Sequence, residues 1–349
     1  MSGNGGRTAV VLFNLGGPDD PASVRPFLEN LFADPAIIGL PAPIRRPLAA
    51  LIAHTRAKSA RANYAVMGGG SPLLAQTLDQ AAALEAALRR RVSNVEAKVF
   101  VAMRHWRPNT RQAAAAVARF APSQIVLAPL YPQFSTTTTA SSLDAWRAAY
   151  QGPGVSRAIC CWYENSGLIE AHVEAITRTW DQAGRPAVRL LFSAHGLPRR
   201  VAASGDPYQW QIEATCAAIA RRLGPAWDWR VCYQSRVGPM KWLGPSTPEA
   251  IGEAAQAGLG VLIDPVSFVS EHIETLVELD RDYAQVARLA GAAPYLRAPT
   301  AGISTPLIEG LAQAVQDTLE AGASGVAPDG RPCPARLIRC PLQTSASYL

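Results

Sequence analysis

Short apolar runs alternate along this chain with longer stretches of helical periodicity. Thr8 to Asn14, Lys98 to Met103, Ile125 to Leu130 and Val155 to Trp162 each have the length and composition of a buried strand. So do Val188 to Ala194, Arg230 to Gln234 and Gly260 to Asp264. Between them lie segments of helical period, such as the one opened by Ser71 as N-cap and Pro72 at the first position. Its predicted buried stripe is Leu74, Leu78, Ala81, Leu84 and Leu88, ending at Arg91. Strand, helix, strand at this spacing predicts an α/β protein with doubly wound parallel sheets. The pattern occurs twice, so two similar lobes with a cleft between them are expected. The lobes are set at residues 1–165 and 166–321, and a Gly-, Pro- and Arg-rich extension with Cys333 and Cys340 occupies 322–349.

One strand end carries chemistry. Val188 to Pro198 reads VRLLFSAHGLP, where Gly196 and Pro198 stop the strand and leave His195 at its carboxyl end. Ligands bind at that edge of open parallel sheets. For a lone histidine, closing a turn by hydrogen bonding is the better reading. The stretch Phe268 to Asp280, FVSEHIETLVELD, adds weight to the ligand reading. Read as an α-helix entered through Ser270, it places Glu271, Glu274 and Glu278 on one face. Acids in a first turn are good dipole chemistry, which accounts for Glu271 and Glu274 but not for Glu278. A carboxylate ladder looking at His195 across a slot is a route for a divalent cation or for protons.

Composition narrows the class. Hydrophobic residues make up 48% of the 349 and charged ones 17%, a globular balance. The net charge is +6, but of 33 basic residues only Lys58, Lys98 and Lys241 are lysines. No basic run with interleaved aromatics points to nucleic acid. The start, MSGNGGRTAVVLFNLGG, lacks a signal peptide and no apolar segment is long enough to span a bilayer, so cytoplasm is the expected location. There, six cysteines argue for a metal cluster or buried thiols over disulfides. Gly16-Gly17 after the first strand invites a nucleotide reading, but the spacing is not G-x-G-x-x-G, and Asp19 and Asp20 repel a phosphate. Ala36 to Ala53 is apolar, carries Arg45 and Arg46, and is broken by Pro41, Pro43 and Pro47, so it is not one continuous helix. It fits a pocket lip, a peripheral membrane contact or ordinary core equally.

Seven pieces together resemble the ferrochelatases, enzymes that insert ferrous iron into a porphyrin. They are Asn14-Leu15-Gly16-Gly17-Pro18, Gly68-Gly69-Gly70-Ser71-Pro72, Tyr131-Pro132-Gln133 and Ser193-Ala194-His195-Gly196-Leu197-Pro198. Gln234-Ser235-Arg236-Val237-Gly238-Pro239, Trp242-Leu243-Gly244-Pro245 and His272-Ile273-Glu274 complete the set, in family order. The resemblance implies two Rossmann-like lobes with porphyrin in the cleft and protoporphyrin IX and Fe2+ as substrates. It assigns catalysis and metal contact to His195 and Glu274, a proton or metal path to Glu271, His272 and Glu278, and porphyrin contact to Tyr64, Arg104, Tyr131, Trp242 and Phe268. His105 stands where many relatives carry tyrosine and is a weaker candidate.

The cysteines depart from part of the family. Thr136 occupies a position where the animal type has a ligand to its 2Fe-2S cluster. Cys160, Cys161, Cys333 and Cys340 still offer four thiolates from two places, like the bacterial cluster-bearing type. Adjacent residues in a strand point oppositely, which makes Cys160 and Cys161 an awkward pair. Cys216, mid-helix, and Cys232, mid-strand, read as small buried residues. The alternatives are a cobalt or sirohaem-type chelatase and a non-catalytic porphyrin carrier, which needs a cleft but no glutamate face. The tail can close a homodimer or wrap its own lobe, and coproporphyrin stands beside protoporphyrin as a substrate.

Overall fold

The structure, a computed structural model, describes residues 6–91, 96–238, 240–321 and 333–341. In chain order the first half runs β1 (Arg7–Asn14), α1 (Val24–Phe32), α2 (Ala42–Val66), α3 (Leu73–Arg91), β2 (Glu96–Met103), α4 (Thr110–Phe120), β3 (Gln124–Pro129), α5 (Thr139–Ala149) and β4 (Val155–Ala158). The second half runs α6 (Ser166–Gln182), β5 (Val188–His195), α7 (Arg199–Ala203), α8 (Tyr208–Leu223), β6 (Trp229–Gln234), α9 (Thr247–Gln256) and β7 (Gly260–Asp264). A π-helix (Glu274–Tyr283), α10 (Ala284–Ala290), β8 (Tyr295–Arg297) and α11 (Thr305–Ala321) follow.

The strands form two four-stranded sheets with the same plan, β2-β1-β3-β4 and β6-β5-β7-β8, and every pairing is parallel. Parallel strands covered by helices on both faces must be apolar throughout, which is why β1 and β7 are buried almost without interruption. In each sheet the chain reverses direction of growth beside the first strand. The crevice at that switch point lies at the carboxyl ends of β1 and β3 in one sheet and of β5 and β7 in the other.

Two helices tie the halves together. Leu168 and Ala171 of α6 enter the core around the first sheet, while Ile169, Val173 and Ile176 enter that of the second. Helix α11, assigned from sequence to the second lobe, packs Leu307, Ile308, Leu311 and Val315 into the core of the first sheet. It crosses α6 at Gly310, which faces Gly167, and a Cβ on Gly310 would come 2.2 Å from Asn165 Oδ1. The side chain of Asn165 caps α6 and also donates to the Gly310 carbonyl at 3.2 Å, so the crossing is fixed by both sterics and hydrogen bonding.

Three local expectations change. The buried stripe of α3 is Leu73, Thr77, Gln80, Ala81, Leu84, Ala87 and Leu88, whereas Leu78 is 50% exposed. Strand β4 stops at Ala158 instead of Trp162, so Cys160 and Cys161 lie beyond it. The break in the apolar stretch falls at Pro41: α2 takes Pro43 in its first turn and carries Pro47 inside it, where a proline costs an interior hydrogen bond but is tolerated. Residues 322–332 and 342–349 of the expected extension lie outside the described residues.

Replacing Gly310 by alanine is expected to lower the unfolding free energy by about 1–3 kcal/mol, seen as a lower denaturation midpoint. Gly252→Ala in α9, where a Cβ meets nothing within 4 Å, is the control and should be neutral or mildly stabilising. Equal midpoints for the two variants would contradict the close α6–α11 crossing.

Candidate active site

The two switch points face each other and enclose a cleft with about 810 Å³ of space, its open mouth included. One wall comes from the first sheet: Asn14 ends β1 and Leu15 follows it, and Leu130, Tyr131, Gln133 and Ser135 follow β3. The other comes from the second: His195 to Leu197 end β5, Ser267 to Ser270 follow β7, and His272 and Glu274 lead into the π-helix. Gly196 is required at its turn, since a Cβ there would meet the Gln234 carbonyl at 2.6 Å.

At the charged wall His195 Nδ1 lies 2.8 Å from Glu274 Oε2. An ionised carboxylate only accepts, so the ring nitrogen donates and Nε2 is left for the cleft. The imidazole is anchored from behind. Its backbone N–H donates to Ser267 Oγ at 3.0 Å, and the Tyr208 hydroxyl donates to its carbonyl at 3.1 Å. The ring meets Phe268 edge to face at 6.3 Å, and Phe268 in turn packs on His272 at 4.5 Å. Burial by itself would lower the affinity of His195 for its proton, yet the charge and hydrogen bond of Glu274, with a smaller contribution from Glu278, raise it above the ordinary histidine value. With 43% of its side chain exposed, the imidazole remains reachable from the cleft. For Glu274 the balance runs the other way: burial pushes the carboxyl up, but His195 and then His272 hold it well below the ordinary carboxylate range. His272 Nε2 stands 3.6 Å from Glu274 Oε2, and its Nδ1 donates to the Ser270 carbonyl at 3.1 Å.

The imidazole and the carboxylates therefore do not face one another across a slot. His195 and Glu274 touch on one wall, and the slot lies between them and the first sheet. Nor do three glutamates share a helical face. The Ser270 hydroxyl, expected to cap the helix, donates instead to Gln80 Oε1 on α3 at 3.0 Å. The helix starts at Glu274 and is a π-helix, a wide form that recurs at functional sites. Glu271 precedes it. Its Oε1 accepts from Arg297 at 2.6 Å and from the Thr300 N–H at 2.9 Å, while Oε2 is buried with no partner among the described residues. Burial raises the Glu271 carboxyl, and Arg297 with these hydrogen bonds brings it below the usual range. Glu278 accepts from the Ser235 N–H at 2.8 Å, the Tyr283 hydroxyl at 2.7 Å and Gln234 Nε2 at 3.2 Å. Both flank the cleft without lining it.

Of the expected porphyrin contacts, Tyr131 and Phe268 line the cleft. Tyr64 is buried among Val24, Phe27 and Ala53, against Ile273, and burial followed by the Glu274 charge raises its hydroxyl well above the tyrosine norm. Arg104 is held by buried Asp34 at 2.9 Å and donates to Ser141 Oγ at 2.7 Å, so its guanidinium is turned to an internal carboxylate. Trp242 bridges Pro198 and backs the Gly196 turn. His105 is buried 3.8 Å from Asp34, and burial, with Arg104 beside it, pushes its imidazole down to about 3.

Sequence reasoning missed the amide side chains that hold the charged wall. Gln80 donates to the carbonyls of Val269 and Gly302, each at 2.9 Å, and Gln76 accepts from the Glu271 N–H at 2.7 Å. Gln234 is fully buried and donates to the Glu274 carbonyl at 2.9 Å. Gln76 and Gln80 stand four apart on α3, a polar pair on one helical face, and that spacing was the available signal.

The four expected cluster cysteines converge in one buried nest. Having left β4, the Cys160 thiol contacts those of Cys161 and Cys340, and Cys333 contacts Cys340. Those thiol contacts, and burial after them, raise Cys160 and Cys333 well above the usual thiol range. Cys216 and Cys232 sit apart in separate cores, and burial pushes Cys232 up to about 12. Thr136 donates through its N–H and hydroxyl to Asp206 at 2.8 and 2.7 Å. Among the described residues no group of three or more His, Cys, Asp or Glu is arranged to hold a metal ion as it stands.

Comparison with known proteins agrees with the fold. Two solved structures share the fold over most of the chain: SirB from Bacillus subtilis with Fe3+, at 14% identity, TM-score 0.50 and coverage of 89% of this chain and 95% of that one; and the sirohydrochlorin chelatase SirB from Bacillus subtilis subspecies spizizenii in complex with cobalt, at 13%, 0.50, 90% and 96%. In sequence the chain is 58% identical to a ferrochelatase of Caulobacter vibrioides (strain NA1000 / CB15N), covering 98% of this chain and 99% of the relative. It is 57% identical to a ferrochelatase of Phenylobacterium zucineum (strain HLK1), covering 96% and 97%. The sequence model of the ferrochelatase family matches residues 7–319, and with it the chain belongs to the ferrochelatase family, whose reaction is the insertion of ferrous iron into a porphyrin.

Proposed function

We propose that the chain inserts Fe2+ into protoporphyrin IX, releasing two protons, in the cleft between the two sheets, and that it is a lyase acting through His195 and Glu274. The observation that carries this is the 2.8 Å contact between them on a wall open to the cleft. Two pyrrole N–H protons must leave a free-base porphyrin as the metal enters, so a base has to stand beside the macrocycle. Glu274 fixes Nδ1 as the protonated nitrogen of His195, which leaves Nε2 with its lone pair toward the ligand. When Nε2 takes a proton, the imidazolium forms next to a carboxylate already ionised, so the charge is compensated where it develops. The same imidazole and carboxylate are the groups proposed to meet the incoming ferrous ion. Tyr131 and Phe268 present flat aromatic surface to the macrocycle, while Tyr64, Arg104 and Trp242 act from behind the wall. Glu271, Glu278 and His272 are proposed as the path by which protons or metal pass Glu274. The cobalt and sirohaem alternative shares the fold alone, at 13–14% identity.

The nest of Cys160, Cys161, Cys333 and Cys340 is proposed to hold a 2Fe-2S cluster. The donor set fits: four thiols converge from two parts of the chain. Seating a cluster requires them to deprotonate and move apart from their present thiol contacts. Such a cluster supplies one-electron chemistry and a structural tie for the tail.

We further place the protein in the cytoplasm, with peripheral membrane contact through Leu40, Ile44 and Leu51, all exposed around the start of α2 beside Arg45 and Arg46. No helix among the described residues is long and apolar enough to cross a membrane. Of the two readings of the tail, closing a homodimer or wrapping its own lobe, the contacts of Cys333, Leu337 and Arg339 within the chain favour the second for the described residues 333–341.

His195→Ala and Glu274→Gln are each expected to lower metalloporphyrin formation from Fe2+ or Zn2+ by about a hundredfold or more, with porphyrin binding retained in fluorescence titration. Turnover within a few-fold of the parent in either variant would remove the assignment. In the metal-free protein the His195 ring should titrate above pH 6.5, since Glu274 favours the protonated form; the base form, and with it the acidic limb of kcat, then emerges only as pH rises through that raised value. Glu274→Gln should move the NMR midpoint down, and an unmoved midpoint would show that the contact does not persist in solution. Flotation with anionic liposomes should carry the protein, and Ile44→Ser with Leu51→Ser should weaken it; no flotation of the parent excludes the membrane contact.

A further inference from the structure

Between the thiol nest and the porphyrin cleft lies one fully buried side chain, Gln211 of α8. Its Nε2 donates to Cys333 Sγ at 3.2 Å and to Cys161 Sγ at 3.4 Å. Its Oε1 accepts the backbone N–H of Phe134 at 2.7 Å. Phe134 sits between Gln133 and Ser135, which line the cleft. The amide is thus satisfied from both sides, by two sulfurs and by the backbone of the cleft wall.

The same wall is tied to α8 and to the residues just ahead of it by further hydrogen bonds. Gln133 donates to Thr215 Oγ1, one turn further along α8, at 3.1 Å. Asp206, just ahead of α8, accepts from Ser135 Oγ at 3.1 Å and from Thr136. Three residues before Gln211 on the same helix, Tyr208 lines the cleft and holds the His195 carbonyl. Helix α8 therefore contacts the nest, the first-sheet wall and the catalytic histidine together.

We propose that Gln211 is a positioning residue that couples the charge of the four-cysteine nest to the porphyrin wall and, with a cluster seated, is the amide donor that tunes its reduction potential. This rests on the reading that the nest holds a 2Fe-2S cluster. Hydrogen bonds to cluster sulfurs stabilise the more negative, reduced state, so an amide shared between two ligand sulfurs raises the potential. Were a seated cluster to take up an electron, the added charge at the ligand sulfurs would strengthen N–H···S bonds from Gln211, and the amide, bound at its other end to the Phe134 N–H, would pull on that N–H. Porphyrin affinity then depends on the cluster's oxidation state.

The test uses the anaerobically purified, cluster-loaded protein and Gln211→Met, which keeps the side-chain volume without donors. Redox titration should give the variant a more negative midpoint at unchanged iron and acid-labile sulfide content. Porphyrin dissociation constants of the oxidised and dithionite-reduced parent should differ by about fivefold, and the difference should fall towards one in the variant. A second readout is independent of the variant's folding: in parent protein labelled with 15N-glutamine, the reduced cluster should show a weak 15N hyperfine coupling. A cluster of unchanged potential in the variant, porphyrin affinities that ignore oxidation state in the parent, or no 15N coupling each overturn the assignment. A parent preparation without iron and sulfide overturns instead the cluster reading beneath it.

Discussion

The contact between His195 Nδ1 and Glu274 Oε2 is the interaction on which the charged wall depends, because it joins the end of β5 to the first residue of the π-helix. A half-enclosed ion pair is expensive to desolvate unless its remaining atoms find partners. Here the backbone around it is fixed on every side: Ser267 takes the His195 N–H, Tyr208 holds its carbonyl, and Gln234 holds the Glu274 carbonyl. Each anchor comes from a different element, so the pair is placed by the sheet edge and the neighbouring helices together and not by one loop. That arrangement leaves the imidazole little freedom except at Nε2, the atom available to a ligand.

The two sheets follow the same strand order, yet they bring opposite chemistry to the cleft. From β1 and β3 come Asn14, Leu15, Leu130 and Tyr131, uncharged and largely apolar; from β5 and β7 onward come His195, His272 and Glu274. A flat ligand between them meets a dispersive surface on one side and a base on the other. Under the proposed function, proton removal and metal approach fall on the face carrying His195 and Glu274, and the opposite face supplies contact area.

Much of this was legible from apolar runs alone. Seven of the strands and the place of His195 follow from patterns a parallel sheet imposes on its own residues, whereas the three-residue β8 leaves too short a pattern to read. The errors fall where a partner from elsewhere in the chain decided the outcome. Ser270 looked like a cap until Gln80, 190 positions away, offered it an acceptor. Glu271 looked like the first rung of a ladder, but Arg297 and the Thr300 N–H claimed it and the helix began three residues later. In α3 the buried face turned toward Thr77 and Gln80 because Asn14 and the loop at Val269 needed hydrogen-bond partners, and Leu78 was left in water. Periodicity records which face a helix would bury against an apolar neighbour; it carries no record of a neighbour that is itself polar.

The cysteines show the same limit from the other side. Spacing paired Cys160 with Cys161 as a geometric difficulty only while both were assigned to a strand, where neighbours point apart. The strand ends at Ala158, and beyond it the backbone is free to turn both thiols to one place. Cys333 and Cys340 come from a segment with no helix or strand, held by the nest, by Leu337 near Trp210, and by the Arg339 N–H on the Gly205 carbonyl. Small buried residues chosen only for packing have no reason to converge, as Cys216 and Cys232 illustrate in their separate cores. Four thiols do converge here, and the buried amide of Gln211 joins two of them to the backbone of the cleft wall, so the tail and the wall share one set of hydrogen bonds.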